Sequence, residues 1–166
     1  MAISVLIASV AAAAQAPPAN ICDSPQHHQL DFWVGRWDVY RPDTDKLVAH
    51  SLIEKLYNGC AVRENWMPLL GQGGGSLNSY RPSEKLWRQV WTDSAGDLNE
   101  YSGGLDNGVM VLTGTSSPIR GKPVPIRMTY EAKGDGSVVQ TGYQSSDGGK
   151  SWQLGYQFVY RRSAQR

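Results

Sequence analysis

From Arg36 to Arg161 the sequence is cut at short intervals by tight polar turns, and no other feature restricts its fold as much. Pro42-Asp43-Thr44-Asp45, Asn58-Gly59, Arg81-Pro82-Ser83, Ser94-Ala95-Gly96, Asp106-Asn107-Gly108, Gly134-Asp135-Gly136 and Asp147-Gly148-Gly149 all carry turn chemistry, since Gly, Asn and Asp tolerate left-handed backbone and Pro fixes φ. Asn58-Gly59 is the strongest hairpin signal among them. The intervening segments predict strands over 36–41, 46–57, 60–67, 76–81, 86–93, 97–103, 108–115, 124–133, 137–145 and 152–161. Strands recurring every 8–12 residues or so predict an all-β antiparallel up-and-down barrel or sandwich, here of about eight to ten strands. Only His27 to Val34 has the length of a short helix, which makes it an N-terminal helical lead-in to the first strand. Pro68 to Gly75 reads as a glycine-rich loop, either a flexible lip over a barrel mouth or a plain linker.

The 166 residues suffice for one domain with a continuous core. Six Trp and eight Tyr against two Phe, with 18 Gly, favour strands and turns over helices. A net charge of +1, from basic residues scattered along the chain, argues against nucleic acid or an anionic membrane as partner. Nothing in the sequence sets an oligomeric state.

Residues 1–16 predict a secretory signal. Ile3 to Ala14 is apolar, too short to span a bilayer, and runs into the small-x-small triplet Ala14-Gln15-Ala16. No Lys or Arg stands ahead of the apolar run, a departure from the usual leader. The expected order is signal 1–16, arm 17–26, barrel 27–162 and tail 163–166, in a secreted or periplasmic protein with no membrane insertion. In such a compartment Cys22 and Cys60 are expected to pair and tether the arm to the barrel.

The strings DFWVGRWDVY (31–40), GCAVRENW (59–66), SLNSYRP (76–82), LWRQVWTDS (86–94) and SSDGGKSW (145–152) together resemble a family of secreted bacterial proteins of unknown function with a lipocalin-like barrel. The Gly35-Arg36-Trp37 triplet is similar to the G-x-W opening of the calycins. The resemblance covers roughly residues 22–162 and implies a calycin-like barrel; it brings no activity. It also implies that Trp37 plugs one end of the barrel beneath a C-terminal arginine, Arg161 or Arg162, with Arg161 the one assigned. Haem-binding nitrobindins share a similar opening but take iron on a late histidine, and none follows His50 here.

Several motifs have a local explanation. Ser145 to Trp152 fits the Asp-box hairpin, in which Asp147 would accept backbone N–H groups across the turn. Gly71 to Gly75 lacks the Gly-Lys-Ser/Thr and the following helix that a phosphate loop requires. His27, His28 and His50 have no partners at metal spacing, so neither metal nor cofactor is expected. No Gly-x-Ser-x-Gly or serine with a credible histidine partner exists, so no catalytic residue is assigned. Glu54, Glu64, Glu100 and Glu131 are formal acid–base candidates that on strands are ordinarily solvated.

One constellation points to binding. Alternation along consecutive strands puts Val62, Glu64 and Trp66 on one face, then Asn78 with Tyr80, then Trp87, Gln89, Trp91 and Asp93. Either this face lines the lumen, with Glu64, Trp66, Asn78, Tyr80, Gln89 and Trp91 forming a pocket for a small, partly apolar molecule, or it is the outer face, with its rings in cross-strand pairs. On the last strand Trp152, Leu154, Tyr156, Phe158 and Tyr160 share one face, and Gln153, Gln157 and Arg161 the other. A carrier is expected first, then an isomerase or lyase with Glu64 as general base, then a filled structural barrel. A lumen of roughly 300 Å³ or more separates the first two from the third.

Overall fold

The computed structural model describes residues 19–117 and 121–164; the predicted signal at 1–16 lies outside the described residues. Ten antiparallel strands follow one another around a closed barrel: β1 (Gly35–Arg41), β2 (Lys46–Leu56), β3 (Ala61–Pro68), β4 (Gly74–Arg81), β5 (Leu86–Asp93), β6 (Leu98–Asp106), β7 (Val109–Thr115), β8 (Pro125–Ala132), β9 (Val138–Gln144) and β10 (Gln153–Arg162). Each pairs with its sequence neighbours, and β10 returns to β1 with Trp37 opposite Arg162 and Val39 opposite Tyr160. Closure leaves no unpaired sheet edge. All ten segments follow the turn rhythm, because the turns have residues able to reverse the chain: Asp45, Asn58, Lys85 and Asn107 all take positive φ.

Alternation decides what is inside. In β3 Val62 and Glu64 are buried while Arg63 and Asn65 are exposed, and in β5 Trp87 and Gln89 are buried while Arg88 and Val90 are exposed. The aromatic and polar face of β3, β4 and β5 is therefore the inner one.

The lead-in is not one helix. It consists of two 3-10 turns, Pro25–His28 and Asp31–Trp33, separated by Gln29 and Leu30. So short a segment cannot nucleate a stable α-helix, and in the 3-10 form residues three apart share a face. Leu30 and Trp33, three apart, are both buried and cap the end of the barrel where β1 begins. Trp37 joins them from β1, its Nε1 donating to the Trp33 carbonyl at 2.7 Å.

Arg162, not Arg161, closes over this plug. The Arg162 guanidinium lies 3.9 Å from the centre of the Trp37 ring and donates to the carbonyls of Val34 at 2.6 Å and Phe32 at 3.4 Å. A side chain at Gly35, where φ is +144°, would place its Cβ 2.0 Å from Arg162 Nη1, so glycine is required beneath the arginine. Arg161 falls on the outer face, over the Tyr40 ring and paired with Asp45 at 2.6 Å. The period of two along β10 accounts for the difference, since Arg162 has the parity of the inward Tyr160 and Arg161 does not.

Cys22 and Cys60 form a disulfide that ties the arm to the β2–β3 turn. At the opposite end, Asp147 accepts from the backbone N–H of Lys150 and Ser151 and from the hydroxyls of Ser145 and Ser151. These bonds hold its carboxyl down at about 2 and make it a structural group of the β9–β10 turn. The loop between β3 and β4 lies at the same end, pinned on each side by Leu69 N–H to the Val48 carbonyl and Ser94 N–H to the Gly73 carbonyl.

Candidate functional site

The plug fills only one half of the barrel. Leu30, Trp33 and Trp37 pack there against Val39, Ile53, Val62, Trp87 and Val138. The other half, toward the β3–β4 and β9–β10 loops, encloses a cavity of about 310 Å³. The pocket residues expected from the alternation of β3, β4 and β5 divide between the halves. Glu64, Trp66, Gln89 and Trp91 line the cavity.

Asn78 does not line it. Its amide donates to the Val62 carbonyl and the Ser76 hydroxyl, and its Oδ1 accepts from Gln89 Nε2 at 2.7 Å, so it orients Gln89 from behind. Tyr80 is a correction to the expected lining: it belongs to the plugged half, packed against His27 and Trp87 at ring separations of 5.4 and 6.0 Å. Alternation sorts a side chain to a face but says nothing of its depth along the barrel, and the plug excludes Tyr80 from the open half.

The rest of the wall comes from strands for which the sequence suggested no pocket role. Asn99 and Tyr101 enter from β6, Met128 and Tyr130 from β8, and Gln140 from β9. Tyr156, Phe158 and Tyr160, legible as one face of β10, complete it. Continuing the period-two count around a closed sheet would have found them. Small residues make room for the large rings: Gly142 lies under Tyr156 so closely that a Cβ would stand 2.1 Å from the ring. Leu154 is exposed, because the register of β10 shifts between Leu154 and Tyr156 and reverses the parity of the strand's first residues.

The polar groups form one chain of hydrogen bonds. Glu64 Oε1 is 3.1 Å from Ser51 Oγ, which donates to it, and 3.2 Å from the Tyr160 hydroxyl. That hydroxyl is also 2.7 Å from Gln140 Oε1, while Gln140 Nε2 donates to the hydroxyls of Tyr130 at 3.1 Å and Tyr156 at 3.4 Å. Gln89 Nε2 meets the same Tyr130 hydroxyl at 3.3 Å.

Glu64 is the only carboxylate among the lining residues, and no Lys, Arg or His is among them. Burial pushes its carboxyl up to about 7, against the opposing effect of hydrogen bonds from Ser51, Tyr160 and Ser76. A hydroxyl has one hydrogen to give, and the shorter contact of Tyr160 is to Gln140. The same hydroxyl donates to Glu64 Oε1 only by turning its hydrogen away from Gln140. Burial raises Tyr101 to about 12 and drives Tyr130, Tyr156 and Tyr160 above their ordinary values, so all four are neutral at physiological pH.

Trp66 and Phe158, with ring centres 5.3 Å apart, border both this cavity and a wider groove of about 590 Å³ at the mouth. Val48, Leu69 and Leu70 line that groove, with Arg41 and Lys46 at its edge. A ligand moving from the groove to the lumen would pass this pair of rings.

Among the described residues no group of three His, Cys, Asp or Glu stands close enough to hold a metal. His27 meets Ser24, His28 lies between Asp23 and Asp31, and His50 meets Asp38. No helix among the described residues is long and apolar enough to cross a membrane. Neither the protein-family models nor the curated proteins contain a match to this chain.

Proposed function

We propose that this protein is an exported carrier that holds one small, partly apolar molecule in its lumen, with the polar end of the ligand at Glu64 and Gln89. The observation that supports this most is the cavity of about 310 Å³ in the unplugged half, with aromatic walls and one patch of polar groups. Folded cores are packed without voids of that size, and a mainly apolar cavity with a few convergent polar groups is the usual form of a small-molecule site. Export is supported by the Cys22–Cys60 disulfide, a bond that persists in oxidising compartments. Membership of the secreted lipocalin-like family is part of the same proposal, supported by the closed barrel and by Trp37 beneath a C-terminal arginine.

The test is titration with N-phenyl-1-naphthylamine, an uncharged probe whose emission rises in apolar surroundings. One probe should bind per chain and quench Trp66 and Trp91. Asn99→Trp, which fills the lumen beside Trp91, should remove the binding while the far-UV spectrum stays that of the parent. A probe signal unchanged in that variant would place the binding outside the barrel.

The state of Glu64 favours a second reading, that of an isomerase or lyase. A buried carboxyl held near 7 can act as a general base, and the Tyr130, Tyr156 and Tyr160 hydroxyls can donate to an oxyanion formed as it takes a proton from a carbon acid. Glu64→Gln separates the two: a carrier keeps its affinity for an uncharged ligand, whereas an enzyme loses turnover.

A further inference from the structure

The cavity is an aromatic cage around a single acid. Trp66, Trp91, Tyr156, Phe158 and Tyr160 surround the space that Glu64 faces, with the Phe158 ring tilted against Trp66 at 5.3 Å and against Tyr156 at 5.2 Å. The face of an aromatic ring carries partial negative charge and attracts a cation set over it. Among the described residues, the groups facing Glu64 offer no positive charge in competition. Ser51 faces it from β2, Ser76 from β4 and Tyr160 from β10, with Tyr130 and Tyr156 across the lumen. Of these only the tyrosines titrate, and all are neutral at physiological pH.

Electroneutrality then selects the occupant. An uncharged ligand leaves Glu64 protonated, or else leaves an ion with no counter-charge in a desolvated cavity, which is costly. An anion would meet the aromatic faces and the carboxyl together. A cation satisfies both: it takes the carboxylate as counter-ion and the rings as its solvation shell, while its apolar body fills the remaining space.

We propose that the lumen selects an organic cation, an amine or quaternary ammonium with a small aryl or alkyl body, held against Glu64 by the Trp66, Trp91 and Phe158 walls. The choice of ligand class rests on the carrier reading. Binding is then coupled to a proton. In the empty protein the one Tyr160 hydrogen is shared between Gln140 Oε1 at 2.7 Å and Glu64 Oε1 at 3.2 Å. When a cation arrives, Glu64 releases its proton to solvent through buffer, and Tyr160 is free to turn its hydrogen toward the carboxylate. No covalent bond other than the Glu64 O–H is broken.

The test compares phenyltrimethylammonium with its uncharged isostere tert-butylbenzene by isothermal titration calorimetry, on the full mature chain and on Glu64→Gln. At pH 8 the ammonium should bind at least tenfold tighter than the hydrocarbon, and the ratio should shrink at least fivefold at pH 5.5. Glu64→Gln should weaken the ammonium about tenfold and leave the hydrocarbon unchanged. In buffers of different ionisation heat at pH 7, the ammonium should release about half a proton per chain, and the hydrocarbon none. If both bind equally at pH 8, or Glu64→Gln alters both alike, the cation proposal falls and the carrier reading stands. If neither binds while the variant and the parent are both folded, both readings fall.

Discussion

The guanidinium of Arg162 lies 3.9 Å above the ring of Trp37 and donates to two carbonyls of the lead-in, so the last strand bolts the first one and its plug. Trp37→Ala should cost about 3–5 kcal/mol as a large-to-small core change. Arg162→Ala should cost about 1–2 kcal/mol, from the lost cation–π contact and hydrogen bonds at a partly solvated site. Arg161→Ala, on the outer face against Tyr40 and Asp45, should cost less than about 1 kcal/mol. Urea unfolding of the three variants checks the order, and an Arg161 effect larger than that of Arg162 would contradict the latch.

The Cys22–Cys60 bridge spans 38 residues of sequence. In the chain-entropy treatment a loop of that length stabilises by about 4 kcal/mol. Denatured, unreduced protein should show no reactive thiol, and Cys22→Ser with Cys60→Ser should lower the urea midpoint accordingly. Two free thiols would rule the bridge out.

Gly142→Ala places a methyl group against the Tyr156 ring, which must swing into the lumen to make room. The expected cost is about 1–3 kcal/mol, with probe binding weakened because the ring occupies part of the cavity. Gly104→Ala is the control, since a Cβ there meets nothing within 4 Å. Equal effects of the two substitutions on probe binding would show that the Tyr156 wall is not where the probe lies.

Glu64 makes stability depend on pH in a defined direction. Its carboxyl is raised from 4.5 to about 7 on folding, so the fold prefers the protonated form. The contribution is complete below about pH 4.5, falls as pH rises to about 7, and is lost above that, a change of about 3 kcal/mol. Glu64→Gln should flatten the stability profile across this window. A parent profile that rises between pH 5 and 7, with the variant rising in parallel, would contradict the assignment.

The strands and the grouping of side chains on one face were legible because alternation and turn chemistry are local; which of the two faces is the inner one was not, and burial in the closed barrel decides it. Trp87, Gln89 and Trp91 share a face whatever the tertiary structure, and only β-pairing can use such a pattern. Even the choice of Arg162 over Arg161 was present, in the parity it shares with Tyr160. Depth along the barrel was not: Tyr80 and Glu64 have the same inward sense, and only the position of the Leu30–Trp33 plug puts one in packed core and the other on a cavity wall. The far wall was missed for a different reason. Tyr130 and Gln140 stand opposite Glu64 only because β10 closes on β1, a contact between residues more than a hundred apart. The short helical lead-in was legible, but not its 3-10 form: a segment long enough for two helical turns also fits two 3-10 turns, and packing of Leu30 and Trp33 decides between them.

A titration of the Glu64 side-chain carboxyl by carbon-13 NMR tests most directly whether this residue is the buried polar handle of the lumen. The expected midpoint is about 7, with tyrosine resonances of Tyr130 and Tyr160 shifting over the same range as the hydrogen-bond chain rearranges. A midpoint at or below about 4.5 would place Glu64 in solvent or in an ion pair and contradict the pocket described here.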